Sequence, residues 1–308
     1  MKTVLITGAS GLIGRHLTPQ LQSRGYRVIH LSRSSSPKNG VETFTWDVGK
    51  GIIDDRAVEQ AEYIIHLAGA GIADSKWTEE RKKEIISSRT DSTRLLAEAL
   101  QRSDKKLAAF ISASAIGFYG AVTSDKNFTE TDPAAIDFMG TCCRLWEASA
   151  KPITGMGIRT VKIRVGVVLA SKDGALAKMA GPVKFGIGSA LGSGKQFMPW
   201  IHINDICGIF IKALEDESMQ GVYNGVAPEP VSNKELTGSI AKTLKKPFFL
   251  PNVPAFVLKA MFGKMSEMFL EGSRVSSVKI EKAGYVFKYR KVEDALGDLL
   301  VEKELQQK

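Results

Sequence analysis

The chain opens on an apolar run, Val4-Leu5-Ile6, that passes directly into Gly8-x-x-Gly11-x-x-Gly14 and then into a helical pattern. No other stretch narrows the possible folds as much. A strand feeding a helix through three glycines is the turn with which α/β proteins hold a dinucleotide pyrophosphate. The first glycine allows the tight turn, the second lets main chain approach phosphate, and the third lets the helix pack closely on the strand. Free N–H groups and the positive end of the helix dipole then hold the anion.

Strand and helix patterns alternate beyond this unit. Strands are predicted at residues 2–7, 27–31, 41–46, 62–68, 107–113 and 160–169, and helices at 11–24, 79–101 and 138–150. Pro19 falls inside the first helix, where it is expected to kink it or to cost up to about 3 kcal/mol. Lys151-Pro152 is expected to end the third helix. From about residue 171 glycine-rich loops such as 186–194 take over, with helices at 204–214, 254–262 and 291–300 and a strand at 221–226. The pattern predicts an α/β fold, a Rossmann-type doubly wound parallel sheet in residues 1–170 to which segments around 196–226 return. Residues 171–308 are expected to form mainly a smaller C-terminal α/β lobe closing over the cleft where such sheets bind ligands.

At 308 residues the chain is long enough to bury a substantial core in one large domain or two unequal ones. It has no apolar run of the roughly 18 residues that a membrane span needs, and its N-terminus reads as a buried strand, not a signal peptide. Cys142, Cys143 and Cys207 lack disulfide-framework or zinc spacing, so no metal is expected and a cytoplasmic setting is the simplest. The net charge of +9 is spread over scattered lysines and arginines, with no basic block interleaved with aromatics. Nucleic acid and membrane are therefore not expected partners, whereas an anionic cofactor or small substrate would use part of the excess.

An NAD site of this type places Asp or Glu at the end of the second strand, about 20 residues past the glycines, to bind the ribose hydroxyls. Here that place reads Leu31-Ser32-Arg33-Ser34, with no carboxylate. A hydroxyl beside a guanidinium suits a 2′-phosphate, because arginine grips phosphate oxygens bidentately. Ser32 and Arg33 thus favour NADP over NAD. The competing reading makes Arg33 a solvated loop residue.

Further segments carry a family resemblance: Thr7-Gly8-Ala9-Ser10-Gly11-Leu12-Ile13-Gly14, His66-Leu67-Ala68-Gly69, Ile111-Ser112-Ala113-Ser114, Arg164-Val165-Gly166-Val167-Val168-Leu169 and Trp200-Ile201-His202-Ile203-Asn204-Asp205. Together they resemble an atypical extended short-chain dehydrogenase/reductase. More narrowly, Trp146-Glu147, the run GSGKQFMPWIH at 192–202 and Asn224-Gly225-Val226-Ala227-Pro228 resemble the epimerase family of nucleoside-diphosphate-sugar-epimerase-like proteins. A segment at 249–300 is similar to that group's small C-terminal domain. The resemblance implies Ser10, Gly11, Leu12 and Ile13 as phosphate-facing main chain, Leu67 and Ala68 as lining on the adenosine side, and Val168 as a main-chain contact at the nicotinamide end. It implies Asp47 as an acceptor from the adenine amino group, against the alternative of a turn cap. It also directs Glu84 and Arg89 toward the cofactor, Arg89 standing where extended members usually have asparagine; a solvated helix ion pair is the alternative for both.

The parent family implies a Ser/Thr, a Tyr and a Lys four residues after the Tyr, the lysine lowering the tyrosine pKa so that it passes a proton while hydride moves. No tyrosine of this chain has lysine four places on. Anchoring on Glu147, the acid that follows that pair, sets Met139 at the tyrosine and Cys143 at the lysine. Methionine has no proton to give, and a buried helix residue is a plainer reading of Cys143 than a reactive thiol. The remaining catalytic candidates are Ser114, with Ser112 second to it, and Tyr119; turn capping is the alternative for the serines and an aromatic plug under the loop for Tyr119. His202 and Asp205 read as a strand end and helix cap. Two functions stay open. One is an NADP(H)-binding epimerase/dehydratase-like or oxidoreductase enzyme acting on an unknown small polar substrate, such as a nucleotide sugar. The other is a non-catalytic NADP(H)-sensing or scaffold protein.

Overall fold

The structure, a computed structural model, describes residues 1–34, 40–103 and 105–301. In chain order its strands are β1 (Thr3–Thr7), β2 (Arg27–Ser32), β3 (Thr43–Asp47), β4 (Ile52–Ile53), β5 (Tyr63–His66), β6 (Ala109–Ala115), β7 (Asn127–Phe128), β8 (Arg159–Val165), β9 (Val167–Leu169), β10 (Trp200–His202), β11 (Gly221–Gly225) and β12 (Arg274–Val275). Eight of them form one sheet in the order β11-β8-β6-β5-β1-β2-β3-β4, parallel except for the antiparallel β3–β4 pair. The Thr-Val-Leu-Ile-Thr of β1 is buried at every position, as a parallel strand covered on both faces requires. Strand order reverses between β1 and β5, so the glycine turn at the carboxyl end of β1 opens on the switch point, where such sheets take their ligands.

The helices are α1 (Leu12–Ser23), α2 (Asp55–Gln60), α3 (Glu79–Arg102), α4 (Phe138–Ser149), α5 (Lys151–Gly155), α6 (Gly174–Lys184), α7 (Ile203–Glu215), α8 (Asn233–Thr243), α9 (Ala255–Phe262), α10 (Glu267–Leu270), α11 (Val278–Lys282) and α12 (Val292–Leu300). One apolar cluster joins Val4 and Ile6 of β1 to Leu17, Phe210, Leu236 and Leu299. A second sets Leu95, Leu96 and Ile153 against Leu5 and Ile64. Side chains of α6, α8 and α12 share the first cluster with β1, so the later part of the chain is continuous with the core of the sheet.

Two local readings change. The predicted strand at 160–169 breaks at Gly166, where a Cβ would lie 2.5 Å from Pro199 O. There the chain leaves the main sheet, and β9 pairs with β10 instead. Pro152 ends α4 but also starts α5, its ring accommodated in a first turn that needs no N–H donor. Pro19 lies within α1 as expected, and the helix continues to Ser23. Among the described residues no helix is long and apolar enough to cross a membrane, and no three His, Cys, Asp or Glu side chains group so as to hold a metal ion.

Candidate functional site

Gly8 has φ +69°, and a Cβ on it would lie 2.7 Å from the carbonyl carbon of Leu67. A Cβ on Gly14 would lie 2.5 Å from Ala9 Cα. These two approaches bring β1, α1 and the chain after β5 together. Gly11 N donates to Gly8 O at 2.9 Å, and Gly11 then caps α1 with no side-chain acceptor and no acid in the first turn. The first-turn N–H groups, at Leu12, Ile13 and Gly14 beside exposed Ser10, therefore point at an open position suited to an anion. The residues present fit a pyrophosphate.

Beneath the turn, Thr7 Oγ1 accepts from Leu67 N at 3.2 Å and Ala68 N at 3.3 Å, so its own proton goes to His66 Nδ1 at 2.7 Å. His66 Nε2 then carries a proton, within 3.1 Å of Thr93 Oγ1 and 3.3 Å of Ser92 Oγ, whose hydroxyls donate to Arg89 O and Ser88 O. The ring is neutral, and burial pushes its pKa down to about 3. Burial likewise brings His30 down to about 4. A folded-state pKa below the unfolded value of 6.5 means that acid favours unfolding: the unfolded imidazoles take protons first. Stability contributed by these rings is complete above about pH 6.5 and is lost as pH falls toward the folded values. The urea midpoint is therefore expected to fall from pH 7.5 to pH 5, each value approximate, and a flat profile would contradict the neutral buried rings.

At the end of β2, Ser32 is half-buried and Arg33 exposed. Asp47 takes the turn-capping role, accepting from Lys50 N at 3.1 Å. Glu84 is exposed and pairs with Arg81 at 2.7 Å, the helix ion pair that was its alternative reading. Arg89 behaves differently. It donates from Nη1 to Ile85 O at 2.8 Å, lies 5.0 Å from the Trp146 ring centroid, and approaches to 3.1 Å the position of a Cβ on Gly69. Burial lowers its pKa, no carboxylate pairs with it among the described residues, and none of its nitrogens is a sealed orphan. Its remaining N–H groups therefore open to the surroundings. Val168 lies in β9, whose bonds to β10 start from Val167 N to Pro199 O at 2.8 Å; the N–H and C=O of Val168 point to the opposite side and are not used in that pairing.

The catalytic candidates converge on one buried network. Ser114 Oγ donates to Glu147 Oε1 at 2.8 Å, and Arg164 holds the same carboxylate through Nε at 2.7 Å and Nη2 at 3.0 Å. Arg164 Nη1 also donates to Tyr119 OH at 2.9 Å, and that hydroxyl donates to Asn224 Oδ1 at 2.7 Å. Tyr119 thus spends its proton inside the network; its ring stacks 5.1 Å from Phe128, and burial raises its pKa. Ser112 donates to the Ala113 carbonyl at 2.9 Å. Met139 and Cys143 pack under Gly117, whose Cβ would meet Met139 Cβ at 3.4 Å and Cys143 Sγ at 3.6 Å. Burial first, then Cys142 and Glu147, push the Cys143 thiol up to about 12, which leaves it inert at neutral pH. His202 caps α7 by accepting from Asn204 N at 3.0 Å. Asp205 accepts from Lys288 N at 2.8 Å and Tyr289 N at 3.0 Å, so both serve the architecture. The network residues that sequence reasoning passed over are Arg164 and Asn224 as partners of the candidates; both are buried polar residues on β8 and β11, and the sheet register brings them level with Ser114.

This fold and turn define a dinucleotide-binding α/β protein, and comparison gives its family. Residues 4–137 match the model of the NAD dependent epimerase/dehydratase family, and residues 253–299 match DUF1731, a domain of unknown function. The chain belongs to the epimerase family. It is 35% identical over 303 residues to the epimerase family protein YfhF of Bacillus subtilis, covering 97% of this chain and 98% of that one. It is 33% identical to human SDR39U1, covering 96% and 99%. A crystal structure of human SDR39U1 (isoform 2) with NADPH superposes with a TM-score of 0.87 at 33% identity over 97% of this chain and 99% of that one. A nucleoside-diphosphate sugar epimerase from Corynebacterium glutamicum gives 0.78 at 32% identity, covering 99% of this chain and 60% of that one.

Proposed function

We propose that the chain binds NADP(H) in the glycine turn and acts, in the cytoplasm, as an epimerase-type or oxidoreductase enzyme on a small polar substrate. The observation that carries this reading is the uncapped, acid-free start of α1 held against β1 by Gly14, with Ser32 and Arg33 in place of a ribose-binding carboxylate. The NADPH in the crystal structure of human SDR39U1 supports it. In this reading the main chain of Ser10, Gly11, Leu12 and Ile13 faces the phosphates, Leu67 and Ala68 line the adenosine side, and Ser32 with Arg33 takes the 2′-phosphate. Arg89 supplies a cation near Cys143, which carries none. Bound NADP(H) supplies or accepts the hydride. Ser114, whose own proton goes to the Glu147 carboxylate, offers its oxygen lone pairs to a substrate hydroxyl.

Met139 and Cys143 favour a second reading, a coenzyme-sensing or scaffold protein without turnover. Offering the NADPH-loaded protein a panel of carbonyl compounds and sugar nucleotides separates the two. Turnover that disappears in Ser114→Ala supports the enzyme; tight NADPH binding with no turnover on any compound supports the sensor. Coenzyme choice has its own test. Arg33→Asp is expected to weaken NADPH binding by about tenfold or more while sparing NADH, and equal losses for both would remove Arg33 from the site.

A further inference from the structure

We infer that the chain carries a second small-molecule site, outside the coenzyme turn and the Ser114 network, that takes a phosphate monoester on an aromatic ring. It is a cavity of about 600 Å³ between the 194–197 segment, the start of α8 and β12, and it shares no lining residue with the turn or the network. Three cations border it, Lys195, Lys234 and Arg274, and among the described residues none of them is ion-paired. The one carboxylate there, Glu235, is already engaged: it accepts from Ser232 N at 2.7 Å in the capping box of α8. Arg274 lies with its guanidinium carbon 4.4 Å from the Phe197 ring centroid, and its Nε is buried with no partner. A polar atom sealed without a partner is uncommon in a folded protein and calls for an explanation. The Nη groups of Arg274 are not sealed in this way and have no protein partner among the described residues, so they are the part of the guanidinium that an anion can meet. Phe248, across the same cavity, adds an aromatic wall for a flat ring.

The cavity is also held open by its own framework. Phe197 N donates to Gly272 O at 3.0 Å, Asn233 N to Gln196 O at 2.8 Å, and Lys234 N to Gly194 O at 3.0 Å. The fully buried Gln196 ties the same loop to Leu191 O and Phe269 O. A site fixed by three separate segments loses little order when a ligand enters. Three cations against one committed carboxylate suit a dianion better than a carboxylate ligand, and the two phenylalanines distinguish an aromatic ester from free phosphate.

Calorimetric titration with phenyl phosphate, in the presence and absence of saturating NADPH, tests the site, with inorganic phosphate and benzoate as comparison probes. Saturable binding is expected that NADPH does not displace, about tenfold tighter than either comparison probe. Lys195→Ala and Lys234→Ala change exposed side chains and are expected to weaken it several-fold each, and Arg274→Met about tenfold or more, with NADPH affinity unchanged. No saturable binding, displacement by NADPH, or undiminished affinity in all three variants would overturn the inference. Because phenyl phosphate is also titrated without NADPH, failure of the coenzyme reading leaves this test intact.

Discussion

Gly14→Ala is expected to reduce NADPH affinity by roughly a hundredfold or more. The added carbon would stand 2.5 Å from Ala9 Cα, 2.7 Å from Ala9 O and 2.8 Å from Ala9 C. All three neighbours are main chain, so no side-chain rotation relieves the contact. Relief requires α1 to move away from the end of β1, and that movement carries off the N–H groups that face the phosphates. Overpacking of this kind costs about 1–3 kcal/mol of stability besides. Gly297→Ala is the matched control: it lies within α12 with nothing within 4 Å, and alanine there is expected to be neutral or to stabilise by up to about 1 kcal/mol. Full NADPH affinity in Gly14→Ala, measured by nicotinamide fluorescence, would mean that the turn does not hold the phosphates.

Glu147→Ala is expected to destabilise the fold by about 3–5 kcal/mol and to lower the melting temperature by roughly 10 °C. The Arg164 side chain is 3% exposed and that of Glu147 10%, so removing the carboxylate leaves a buried guanidinium facing apolar groups. The same change takes the acceptor from Ser114, coupling stability to the hydroxyl proposed to meet the substrate. Removing both charges with Glu147→Met and Arg164→Met is expected to recover much of the loss, because no uncompensated ion remains. A melting point within about 2 °C of the parent in Glu147→Ala would contradict this role.

The β1–turn–α1 unit was legible in the sequence because it is local: an apolar strand, three glycines and a helical period lie within about twenty residues of one another. The parallel sheet followed from the alternation, since parallel strands need helical crossovers. What escaped is long-range. The Glu147–Arg164 pair joins α4 to β8, and nothing in the spacing of either residue names its partner. The break at Gly166 depends on Pro199 O, over thirty residues later. β7 and β12 are two residues each, too short to show a period. Glu84 and Arg89 illustrate a different failure. Five positions along a helix at about 100° each set two side chains about 140° apart, so a single cleft faces one of them and not both. The structure gives Arg89 the buried position and leaves Glu84 in an exposed ion pair.

Titration of the purified, folded protein with NADPH, followed by nicotinamide fluorescence, addresses the whole account at its base. Saturable binding at one site per chain, lost in Gly14→Ala and retained in Gly297→Ala, is the result expected. A well-folded protein that shows no saturable uptake of NADPH would contradict it.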